Sequence, residues 1–90
     1  MEDNRPEGAK TDTDGLNKIA DLKEAIETHA NSAWQEFLPE WYKTSGDGHY
    51  LAKIKIGKEE WLDVEVKGDK DNAEVLNWKA GTHVCDDIKF

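Results

Sequence analysis

The chain holds a single cysteine, two prolines and no apolar run approaching the ~20 residues of a membrane span. One Cys excludes an internal disulfide and suits a reducing, cytosolic setting. The opening residues MEDNRPEGAKTDTDG are polar and acidic, so they do not read as a secretory signal. Positive charge is scarce as well: 12 Lys and Arg stand against 20 Asp and Glu, a net charge of −8. Nucleic-acid binding needs clustered cations to displace counterions, and that class is therefore set aside. An acidic surface of this size serves solubility, a basic protein partner, or mimicry of a nucleic-acid surface. What is present is aromatic mass. Four Trp, two Tyr and two Phe in 90 residues give one small domain enough large side chains for one core.

Residues 1–14 read as a flexible acidic arm and residues 15–90 as a single domain. Leu16, Ile19, Leu22, Ile26, Ala30, Ala33 and Phe37 recur at spacings of three and four, the signature of one helical face. The pattern predicts one long helix, N-capped by Asp14 with Asp12 favouring its positive end, and stopping between Ala33 and Phe37 ahead of Pro39. Strands are expected at residues 40–44, on either side of Gly57, at residues 73–80 with Val75 and Trp78 on opposite faces, and as a last edge strand over residues 83–90. The expected fold is α+β, a long N-terminal helix on a four- to five-stranded antiparallel sheet.

The segment GHYLAKIKIGKEEWLDVEVK is the most closely specified. Ala52, Ile54 and Ile56 alternate with Lys53 and Lys55, and Leu62, Val64 and Val66 alternate with Asp63 and Glu65. Period-two alternation means a ribbon with one apolar and one wet face. A three-residue loop over Lys58, Glu59 and Glu60 would match Ile56 with Leu62, Ile54 with Val64 and Ala52 with Val66. It would also set Lys55 across from Asp63 and Lys53 across from Glu65.

These residues resemble the cystatins, specifically the intracellular stefin type. The resemblance is carried by Lys18-Ile19-Ala20-Asp21, Tyr42-Lys43-Thr44, Tyr50 with Lys53-Ile54, Gly57, the strand from Leu62 to Val66, and the ending Cys85-Asp86-Asp87-Ile88-Lys89-Phe90. It implies a curved antiparallel sheet around a helix and an activity as a reversible inhibitor of papain-like cysteine proteases, without cofactor or metal and without catalysis. It further implies a binding wedge of three parts: the arm around Gly8, the turn Ser45, Gly46, Asp47, Gly48, and the turn containing Lys70, Asp71 and Asn72. The family's valine-rich first loop and Pro- or Trp-bearing second loop are not present here. Asp47 would set a carboxylate beside a catalytic thiolate, where an apolar wedge desolvates better. The alternative is therefore a non-inhibitory protein-binding module on the same fold, natural or with replaced loops, using its acidic surface and Trp61 as anchor. Either form is expected as a cytoplasmic monomer, with hairpin exchange as the route to a dimer, and with no nucleic-acid or membrane partner.

Other chemistry is thinner. His83 and Cys85 fall on one face of an extended segment but lack a four-ligand zinc pattern, and Cys85 reads as a small semi-buried side chain. Glu59 and Glu60 belong to a turn. Trp34, Trp41 and Trp78 are expected in or beside the core, and His29 at the helix boundary.

Overall fold

The computed structural model describes residues 6–46, 48–68 and 71–90. Among them the order is α1 (Thr13–Ala20), α2 (Lys23–Ala30), β1 (Leu38–Ser45), β2 (His49–Gly57), β3 (Glu60–Lys67) and β4 (Glu74–Thr82). The strands form an antiparallel sheet in the order β1-β2-β3-β4. The architecture is α+β, with α1 against β1 and α2 against β4. No helix among the described residues is long and apolar enough to cross a membrane.

The helical stripe is used as its spacing requires, but by two short helices instead of one long one. Asp12, not Asp14, is the N-cap, its carboxylate accepting from the Gly15 amide at 2.9 Å. The chain then tightens: the Leu22 amide donates to Ile19 three residues back, at 3.0 Å, and α2 restarts behind it. The step lets Ile19, Leu22 and Ile26 all face the sheet, each 1% exposed or less. Burial of such a side chain contributes about 1.5–3 kcal/mol. The helix ends earlier than Ala33, because Asn31 adopts a left-handed conformation with φ 53°. The Ser32 amide reaches the Glu27 carbonyl at 3.0 Å and the Asn31 amide that of Thr28 at 3.2 Å, closing the last turn.

The core lies between the helices and one sheet face, formed by Ile19, Leu22, Ile26, Tyr42, Ala52, Ile54, Ile56, Leu62, Val64, Val66 and Val75. The central hairpin keeps the expected faces but not the expected rungs. Ile54 pairs with Leu62, Ala52 with Val64 and Lys53 with Asp63. Gly57 pairs with Glu60 across a two-residue turn, Lys58 and Glu59, and Ile56 is the extra residue of a bulge. The bulge restores the parity that a two-residue turn alone would break. A slip of two residues leaves every side chain on its own face, so apolar matching does not distinguish the two registers.

Further bulges decide what lies on the other face. The step between Pro39 and Trp41 leaves Glu40 unpaired, sends Trp41 to the outer face opposite Lys53, and keeps Tyr42 in the core. In β4, Leu76 is extra, so Val75 and Trp78 pair with Val66 and Val64 on the same side, against the expected opposition. Trp78 is 39% exposed and therefore no core residue. The expected last strand does not form. Residues 83–90 leave the sheet and cross its outer face, so the face expected to be wet is covered there: Trp41 and Lys53 are fully buried and Asp63 is 3% exposed.

Candidate partner-binding end of the sheet

Consecutive hairpins of a β1-β2-β3-β4 meander turn at alternate ends, so the β1–β2 and β3–β4 turns share one end. At the first, Ser45 pairs with His49, and Gly46 and exposed Gly48 complete the connection, with Gly48 at φ 76°. Asp47 lies outside the described residues. At the second, Lys67 pairs with Glu74, and Gly68 stands at φ 92° against the carbonyl of Asn72, which a Cβ would strike. Asp71 and Asn72 are exposed there, while Lys70 lies outside the described residues.

The arm is tied to β1. Lys10 forms an antiparallel bridge with Tyr42, its amide donating to the Tyr42 carbonyl at 2.7 Å and its carbonyl accepting from the Tyr42 amide at 3.0 Å. Just before this bridge the chain turns, the Ala9 amide donating to the Pro6 carbonyl at 3.1 Å with Gly8 at φ 88°. Tyr42 fixes the arrangement from within. Its hydroxyl donates to Asp12 at 2.5 Å, the same carboxylate that caps α1. That hydrogen bond, then burial, pushes the Tyr42 phenol up to about 12; the same bond, with that from the Gly15 amide, holds Asp12 below the usual carboxylate range. Gly15 is required beneath it, because a Cβ there would overlap the Tyr42 ring. Lys18 extends the cluster, donating to the Tyr50 hydroxyl at 3.1 Å.

On the outer face behind this end, Glu65 accepts from Asn77 at 2.7 Å and meets His49 Nδ1 at 3.3 Å, tying three strands together. Trp61 is not brought to this end. It pairs with Lys55 and Thr82 beside the β2–β3 turn, is half-buried, and its carbonyl accepts from the Thr82 hydroxyl at 3.2 Å.

The feature that the alternation concealed is the pair Lys53–Asp63. The Lys53 ammonium lies 3.2 Å from the Asp63 carboxylate, which also accepts from the Thr82 hydroxyl at 2.9 Å. Desolvation raises the Asp63 pKa against the opposing pull of Lys53. The one sequence signal for a covered face was its aromatic content, Trp41 and Trp61 among the charges, together with apolar Ile88 in the tail.

Cys85 is exposed, and among the described residues no three His, Cys, Asp or Glu side chains group as metal ligands. Compared with known proteins, the chain matches no family model and no curated sequence.

Proposed function

We propose that the chain is a non-catalytic, cystatin-like protein-binding module and a reversible, stefin-like inhibitor of papain-like cysteine proteases, acting as a cytoplasmic monomer without a cofactor. One observation carries this reading: the 45–48 and 68–72 turns belong to the same end of the sheet, and the arm is bridged to β1 at Tyr42. Two turns at one end, with the arm tied to β1, suit a wedge that enters a cleft. The rigid backing is supplied by Tyr42, which ties the arm, the α1 cap and β1 into one unit. Titrating papain with micromolar protein tests the reading. Competitive, reversible inhibition that weakens when residues 1–10 are deleted is expected. No inhibition at micromolar protein removes the inhibitor reading, and unchanged affinity without the arm removes the arm from it.

A second reading is favoured by the chemistry of that end. Ser45, Gly46, Gly48, Gly68, Asp71 and Asn72 offer no apolar side chain to a dry cleft, and the net charge is −8. A non-inhibitory module, natural or with replaced loops, would then meet a basic partner through its acidic surface. Association that slows steeply with added salt supports this form; a rate indifferent to salt overturns it.

A further inference from the structure

Residues 83–90 are attached differently from the other described segments. They add no rung to the sheet, and Ile88, the one buried side chain among them at 7% exposure, does not join the core between helices and sheet. Their anchors are side chains of β1 and β2. The Lys53 ammonium donates to the carbonyls of His83 and of Asp86, the latter at 2.6 Å. The Trp41 indole donates to the Val84 carbonyl at 3.0 Å, and Lys43 pairs with Asp87 at 2.9 Å. Gly81 precedes the segment as the extra residue of a bulge at φ 81°, with open space where a Cβ would stand.

We propose that residues 83–90 are a strap that opens about Gly81 as a unit while the helix-side core stays folded, and that the buried Lys53 ammonium holds it shut. Lys53 is suited to that role by number and place. Its donors go to two strap carbonyls and to Asp63, and its side chain is fully buried beside the Trp41 ring, 5.5 Å from the centroid. The strap in turn keeps water from the ion pair and from Trp41, so opening hydrates both charges and uncovers an indole otherwise withdrawn from solvent. The Lys43–Asp87 pair is partly exposed and screened, which makes it a minor anchor. None of the helix-side core, from Ile19 to Val75, has to move.

The lone, exposed Cys85 sits within the strap and accepts a spin label in the full chain. In Lys53→Met the label is expected to become markedly more mobile while the far-UV spectrum is retained, and in Lys43→Met to change little. Equal mobility in Lys53→Met and wild type overturns the proposal, and so does loss of the whole fold in that variant. Amide exchange of the unmodified protein is an independent arm. The Asp86 and Ile88 amides are expected to exchange at least ~10-fold faster than those of Ile54 and Val64, through an opening less sensitive to denaturant than global unfolding. Exchange of all four through one common global unfolding overturns it.

Discussion

Lys53 and Asp63 face each other across β2 and β3 at 3.2 Å, their side chains 0% and 4% exposed, on the sheet face that carries no helix. Removing Lys53 leaves Asp63 uncompensated as long as the strap is shut and takes the donor from the strap carbonyls. Lys53→Met is therefore expected to destabilise the protein by about 3–5 kcal/mol, read from urea or guanidinium unfolding. The double variant Lys53→Met with Asp63→Leu should recover part of that loss, since a buried pair replaced by apolar groups is often neutral. A double variant no better than the single one contradicts this.

Acid separates the carboxylates by sign. Asp12 and Asp87 are held below their ordinary values by hydrogen bonds from Tyr42 and Lys43, so their contribution is present at neutral pH and lost as pH falls. Asp63 is raised, so its contribution runs the other way, lost as pH rises through its folded pKa and regained on acidification. Asp63→Asn removes that regain. Its stability should fall more steeply than wild type between neutral and mildly acidic pH, measured as unfolding midpoints across pH.

At the alkaline side the Tyr42 phenol decides. Its pKa moves from 10.0 to about 12, so its neutral form stabilises the fold fully below 10.0 and that contribution disappears as pH rises through about 12. Titration by tyrosinate absorbance should show one late phenol that is missing in Tyr42→Phe. The same variant should lower the melting temperature, because the Asp12 cap loses its hydroxyl partner.

Gly15→Ala inverts the usual helix propensity. Alanine should gain roughly 0.5–1 kcal/mol inside a helix, yet here its Cβ overlaps the Tyr42 ring. A net loss of stability is expected. Gly68→Ala should also destabilise, by about 1–3 kcal/mol, from a left-handed backbone and a blocked approach to Asn72. Gly46→Ala, in open space, should be close to neutral in the same thermal assay.

Much of the helix-side core was legible. The stripe Leu16, Ile19, Leu22, Ile26 and the alternation of β2 and β3 are periodic patterns that local geometry imposes, and each residue faces where its spacing requires. The break at Leu22 and the stop at Asn31 were harder to place, because they are set by single hydrogen bonds and one left-handed residue. The candidate site was legible as segments. That the arm is tied to β1 depends on the Lys10–Tyr42 bridge, and no local pattern announces it. Trp61, grouped with those segments by its place on the charged face, stands at the other end.

The sequence by itself determined which residues turn inward, since helical and strand periods sort side chains onto faces before any long-range contact forms. Tertiary structure decided which rungs meet and what covers the other face. Registers two residues apart are equivalent to a period-two pattern, and the bulges at Glu40, Ile56 and Gly81 become definite only when Trp41, Lys53 and the strap close over one another. An alternating lysine looks solvated in one dimension; with eight residues of its own chain laid over it, it is the most deeply enclosed charge described.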